Sequence, residues 1–137
     1  MLQVYNTLMA LRLVVVDDAP FIHEILRHLF SEAGILIVGE AFDGDEAVRV
    51  VLKTQPDVVL MDIVMPRKSG LEAAKEILKK LPDTRIIACS TVNNESMVMR
   101  VLEAGCVDFI TKPFSGQELI QLVKNSSARL QPKASAP

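Results

Sequence analysis

The sequence predicts a doubly wound α/β domain, one parallel five-stranded sheet with five helices distributed over its two faces. Two patterns carry that expectation. Short, continuous apolar runs rich in Val, Ile and Leu alternate five times with longer stretches whose apolar residues recur at helical spacing. The breaks between them hold Gly, Pro and capping residues rather than long linkers. Length agrees: 137 residues, 50% of them hydrophobic, supply one core and little room for a second domain.

Leu11 to Val16 reads as a strand buried on both faces. From Pro20 to Ala33 the period changes to helical, with Phe21, Ile22, Ile25, Leu26, Leu29 and Phe30 on one face and His23, Glu24, Arg27 and His28 on the other. Gly34 follows at a position where a helix end favours positive φ. Leu36 to Ala41 is the second strand. Asp43, three residues before Glu46, caps a helix that continues through Ala47 to Leu52 and stops at Gln55-Pro56. Val58 to Met61 is the third strand.

Ser69 to Glu72 repeats the capping pattern and opens a helix with Leu71, Ala74, Ile77, Leu78 and Leu81 facing inward. Its wet side allows a pair between Glu76 and Lys80. Pro82-Asp83 breaks the chain before strand four, Arg85 to Cys89. Asn94 to Ala104 is helical, with Gly105 as its terminal residue. Val107 to Ile110 is strand five, and Ser115 to Glu118 caps a last helix carrying Leu119, Ile120, Leu122 and Val123. The expected domain spans residues 11–125, with a short extension at 1–10 and a Ser/Ala/Pro-rich tail at 126–137.

Several function classes drop out on composition. Aromatics are 4% with no Trp, too few for base-stacking or sugar-stacking surfaces. A net charge of -2 offers no basic field for nucleic acid. Cys89 and Cys106 read as small core residues, and free thiols fit a reducing, cytoplasmic setting. No apolar run is long enough to span a membrane. The first ten residues have no basic start before their apolar part, so they read as an extension, with Met9 a possible alternative start, rather than a signal peptide.

In a doubly wound sheet, ligands bind beyond the carboxyl ends of the strands. Strand one ends in Asp17-Asp18, strand three in Asp62, strand four in Ser90-Thr91 and strand five in Thr111-Lys112-Pro113. Carboxylates gathered in one crevice repel one another, so a hard divalent cation, a lysine or protonation must compensate. A hard divalent ion suits oxygen ligands, and Lys112 adds a fixed positive charge. An acid, a divalent cation, a lysine and a hydroxyl are the parts for phosphoryl transfer onto an aspartate.

These residues carry a family resemblance. Val14 to Asp18, Pro56 to Pro66, Gly70, and Ala104 to Phe114 together resemble the receiver domain of bacterial two-component response regulators, of the stand-alone, chemotaxis type, over roughly residues 11–125. The resemblance implies a flavodoxin-like strand order, 2-1-3-4-5. It implies Asp62 as phospho-acceptor, with Asp17, Asp18, Asp62 and the backbone carbonyl of Val64 holding Mg²⁺, for which Mn²⁺ can substitute. Lys112 would contact the phosphoryl oxygens and Ser90 would supply the switch hydroxyl, with Thr91 as its competitor. Phe109 stands at the aromatic switch position, where plain core packing is an equal reading. Lys112-Pro113 matches a cis peptide bond.

The implied function is a phosphorylation-activated switch in a phosphorelay. A sensor histidine kinase or phosphotransfer protein supplies the phosphoryl group, and a downstream protein target reads the face of helix four, strand five and helix five. The chain would catalyse only its own phosphorylation and dephosphorylation. Val64 and Val92 flank the family's water path and cannot orient water, which implies slow self-dephosphorylation. Neither direct nucleic-acid binding nor membrane insertion is expected.

Rival readings are a phosphorylation-independent scaffold, a haloacid-dehalogenase-type hydrolase and a flavodoxin-like carrier. The hydrolase would need an acid where Val64 stands, and the carrier a phosphate loop where Asp17-Asp18-Ala19-Pro20 stands. His23 and His28 are expected to be solvated, as is the basic run of Arg67, Lys68, Lys75, Lys79 and Lys80. Of Met97, Val98 and Met99, only some can face the core.

Overall fold

The computed structural model describes residues 10–128. The elements alternate in chain order: β1 (Arg12–Val16), α1 (Pro20–Glu32), β2 (Leu36–Ala41), α2 (Gly44–Thr54), β3 (Val58–Asp62), α3 (Gly70–Lys80), β4 (Arg85–Ser90), α4 (Glu95–Glu103), β5 (Asp108–Thr111) and α5 (Gly116–Ala128). The strands form one parallel sheet in the order β2-β1-β3-β4-β5, the flavodoxin-like arrangement. The expected extension and alternative start fall on residues 1–9, and most of the expected tail on residues 129–137, all outside the described residues. No helix among the described residues is long and apolar enough to cross a membrane.

Both faces of the sheet are apolar because strand residues alternate sides and both sides are covered. Val14, Val16, Val59, Met61, Ile86 and Ala88 pack under α2, α3 and α4, with Ala47, Val51, Ile77 and Val101 closing that layer. Leu13, Val15, Val58, Leu60, Ile87 and Cys89 face the other way, against Leu26 and Phe30 of α1 and Leu119 and Val123 of α5.

Local signals behave as their chemistry requires. Asp43, Ser69 and Asn94 cap α2, α3 and α4 by accepting the amides of Glu46, Glu72 and Met97, and Ser115 accepts the Glu118 amide at 3.0 Å. Gly34 and Gly105 both have positive φ, at 75° and 101°. Of the expected inward set of α3, Leu71, Ala74 and Ile77 are buried with Ala73 beside them, and Leu78 and the cap residue Leu81 are half-buried against the same core. Met97 and Val98 are half-buried while Met99 is exposed.

Four expectations need correction. Phe21 and Ile25 are 62% and 56% exposed, because the buried stripe of α1 runs through His23, Leu26 and Phe30 instead. His23 is therefore buried, and only His28 is solvated. Glu76 pairs with Lys68 rather than Lys80, and Lys68 also reaches Asp45 at 3.3 Å, so the loop before α3 is tied to α2 and α3. Finally, α5 runs on through Ala128 with Ser126 buried, so this helix continues past Asn125 into the stretch expected to be tail.

Candidate functional site

Strands β3 and β4 each run one residue further than expected, so Asp62 and Ser90 are their last residues. The parallel register sets Asp62 opposite Cys89 and Ser90 opposite Thr111. Asp17 follows β1 directly. The carboxyl ends of β1, β3, β4 and β5 thus bring Asp17, Asp62, Ser90 and Lys112 to one edge, as the topology requires.

Asp17, Asp18 and Asp62 offer carboxylate oxygens that lie within 4.8 Å of one another. Asp17 and Asp62 are buried and Asp18 is exposed. Lys112 lies across the pocket, its Nζ donating to Asp17 Oδ2 at 2.6 Å and to Asp62 Oδ2 at 3.3 Å. Local amides add a partner to each buried acid: Val64 donates to Asp62 Oδ1 at 3.1 Å, and Ala19 to Asp17 Oδ1 at 2.9 Å.

The electrostatics follow from this crowding. Burial raises the Asp62 carboxyl above its ordinary range; Lys112 opposes the rise, Asp17 adds to it, and the Val64 amide works against it. For Lys112, burial pulls the ammonium down, but the hydrogen bond to Asp17 and the charges of Asp62 and Asp17 outweigh it and hold the group above its usual value. Two buried carboxylates therefore share one ammonium beside a third, exposed carboxylate, leaving excess negative charge on a cluster of oxygen donors. That donor set fits a hard divalent cation such as Mg²⁺.

Ser90 is buried, and its Oγ accepts the Val92 amide at 3.0 Å, while its carbonyl accepts the Lys112 amide at 2.9 Å. Thr91 is exposed. Phe109 is half-buried against the layer under α4, and it lines a surface groove with Leu122 and Asn125. The Lys112-Pro113 bond is cis. Val64 is 56% exposed, and Val92, two residues beyond Ser90, is also exposed.

Sequence reasoning missed a second polar group behind the acids. His23 donates from Nε2 to the Asp17 carbonyl at 2.7 Å; its Nδ1 lies 2.8 Å from Glu40 Oε1, and its ring stacks on Phe42 at 4.2 Å. Arg27 Nε donates to the other Glu40 oxygen at 2.8 Å. Burial disfavours the Glu40 carboxylate, but the hydrogen bonds from Arg27 and His23 prevail and hold its pKa below the usual value. The spacing of His23 to Leu26 and Phe30 was the available signal, since a residue on that stripe faces inward whatever its polarity.

Comparison with known proteins identifies the family. The family described as response regulator receiver domain matches residues 13–124. The chemotaxis protein CheY of Thermotoga maritima is 40% identical over 119 residues, covering 87% of this chain and 99% of that protein. CheY of Bacillus subtilis is 37% identical over 118 residues, covering 86% and 98%. Among solved structures, the response regulator domain of Thermotoga maritima CheB aligns with a TM-score of 0.80 at 37% identity, covering 87% of this chain and 97% of that one. CheY in the CheX-CheY-BeF₃-Mg²⁺ complex of Borrelia burgdorferi aligns with a TM-score of 0.83 at 30% identity, covering 88% and 92%. This chain belongs to the response regulator receiver domain family, the signalling switches of two-component systems, and is of CheY type.

Proposed function

We propose that the chain is a phosphorylation-activated switch that accepts a phosphoryl group on Asp62 from a sensor histidine kinase or a phosphotransfer protein. One observation carries this reading: Lys112 spans Asp17 and Asp62 inside a cluster of three carboxylates at the ligand-binding edge of the sheet. A carboxylate oxygen of Asp62 attacks the phosphorus of a phosphohistidine. The P–O bond forms as the P–N bond breaks, and the departing imidazole nitrogen takes up a proton. Lys112 exchanges its hold on the carboxylates for the incoming phosphoryl oxygens.

Asp17, Asp18, Asp62 and the Val64 carbonyl are the groups that would hold Mg²⁺, which when bound supplies charge neutralisation for the acids and the phosphoryl oxygens. The relative solved with BeF₃ and Mg²⁺ supports a site of this chemistry, because fluoroberyllate resembles a phosphoryl group in shape and charge. Ser90 then turns its hydroxyl from the Val92 amide to donate to a phosphoryl oxygen, and Phe109 packs inward behind it. The downstream protein is read on the face of α4, β5 and α5, where Met99 and Leu102 are 51% and 48% exposed. The relative solved in complex with CheX supports a protein as partner.

The test is intact-mass measurement after incubation with Mg²⁺ and acetyl phosphate, beside Asp62→Asn. One added phosphoryl group on the wild type alone is the expected result. Absence of both Mg²⁺ binding and an adduct would replace this reading with a phosphorylation-independent scaffold.

A further inference from the structure

We propose that His23 is a positioning residue for the acidic pocket, fixing the Asp17 backbone so that its side chain faces Lys112 and the neighbouring acids. This inference rests on the metal-binding role given above to Asp17. His23 sits in the first turn of α1 and is 1% exposed. Its partner, the Asp17 carbonyl, can only accept, so Nε2 carries the hydrogen of the 2.7 Å bond.

The rest of Asp17 is already committed. Its amide donates to the Ala41 carbonyl at 3.1 Å, Oδ1 accepts the Ala19 amide, and Oδ2 accepts Lys112. The carbonyl is the remaining polar handle by which the peptide following Asp17, and therefore the approach of Asp18, is oriented. A buried carbonyl without a donor is unfavourable, so the turn would rotate to find one if His23 were lost.

The imidazole itself is held from three sides. The Asp17 carbonyl accepts from Nε2, Glu40 Oε1 on β2 lies 2.8 Å from Nδ1, and Phe42 stacks on the ring; Arg27 in turn fixes the far oxygen of Glu40. Glu40 pairs in register with Val15 of β1, two residues before Asp17. The acids are thus supported from behind by a polar chain running from exposed Arg27 to the Asp17 peptide, the arrangement by which outer groups orient metal ligands.

Two substitutions separate the contacts. Gln at position 23 can place its amide nitrogen near Nε2 and keep the Asp17 bond, whereas Asn can approach only the Nδ1 position. Calorimetric titration with MgCl₂ is expected to give a dissociation constant about tenfold higher for His23→Asn. For His23→Gln it stays within about twofold of wild type, matching the retained bond. Thermal melting of each variant establishes that it is folded at the titration temperature.

Equal Mg²⁺ affinity in the wild type and both variants would overturn the role, and so would equal weakening in both, which would assign the effect to ring packing. No Mg²⁺ binding by the wild type would instead overturn the underlying function.

Discussion

A Cβ added to Gly70 would lie 2.0 Å from the carbonyl oxygen of Asp62, closer than any side chain can approach backbone. Gly70 also donates its amide to the Ile63 carbonyl at 3.0 Å, so the first turn of α3 rests directly on the strand end that carries Asp62, the proposed acceptor. The position of α3 and that of Asp62 are therefore one variable. Gly70→Ala must push them apart, and it is expected to destabilise the fold by about 1–3 kcal/mol and slow labelling of Asp62 by acetyl phosphate. Urea unfolding and timed intact-mass measurement check both; unchanged stability would show that the backbone yields without strain.

Lys112→Met separates the two duties of the ammonium. Removing a charge bonded to Asp17 and Asp62 leaves the acids more repulsive and their oxygens freer, so Mg²⁺ is expected to bind more tightly. Phosphorylation is nevertheless expected to slow by about 100-fold, since the mechanism proposed above makes Lys112 the donor to the developing phosphoryl charge. Calorimetry with Mg²⁺ and intact-mass kinetics read these opposite effects, and a wild-type labelling rate in the variant contradicts the role of Lys112.

The lifetime of the phosphorylated protein should be long. Val64 and Val92, two residues beyond Asp62 and Ser90, are exposed side chains with no polar atom by which a water could be held. Replacing Val64 by Asn or Glu is expected to speed loss of the label by roughly tenfold, a modest share of what a well-placed polar group contributes. Decay is followed by mass after removal of the phosphodonor. Rapid decay in the wild type, unchanged by either substitution, excludes this account.

Both thiols should be silent toward alkylation at pH 8 in the folded protein. Burial, only partly offset by Lys112, pushes Cys89 to about 12, while burial alone pushes Cys106 to about 11. Raised folded-state values mean this contribution to stability is complete below the thiols' ordinary value of 9.0 and is lost as pH climbs toward 11 and 12. Cys89→Ala with Cys106→Ala is expected to flatten the alkaline fall in melting temperature. An identical slope in the variant would place the alkaline sensitivity elsewhere.

Features decided within a few residues were legible in the sequence. The capping acids and hydroxyls, the glycines at 34 and 105, and the apolar strands need only their neighbours to be read. The convergence of Asp17, Asp62 and Lys112 was also legible, because a parallel sheet sends every strand's carboxyl end to the same edge.

What stayed hidden depends on distant partners. His23 counts as polar on a helical wheel, yet Glu40 and Phe42, brought beside it by β2, make its burial favourable. Phe21 and Ile25 count as apolar, but the stripe through Leu26 and Phe30 leaves them outside. Lys68 joins Glu76 only because the loop after β3 folds back over α2 and α3. Periodicity gives the width of a buried stripe, whereas packing selects its centre.

Lys112 and Asp17 are separated by 95 positions, and their strands are not neighbours in the sheet. A chain still being synthesised carries all three acids well before it carries their counter-charge. Until β5 docks, the ends of β1 and β3 meet as like charges, which works against early closure of the site. The final strand brings the lysine that offsets this repulsion, so the charges that favour closing the metal-free pocket come together only after about four-fifths of the chain has been made.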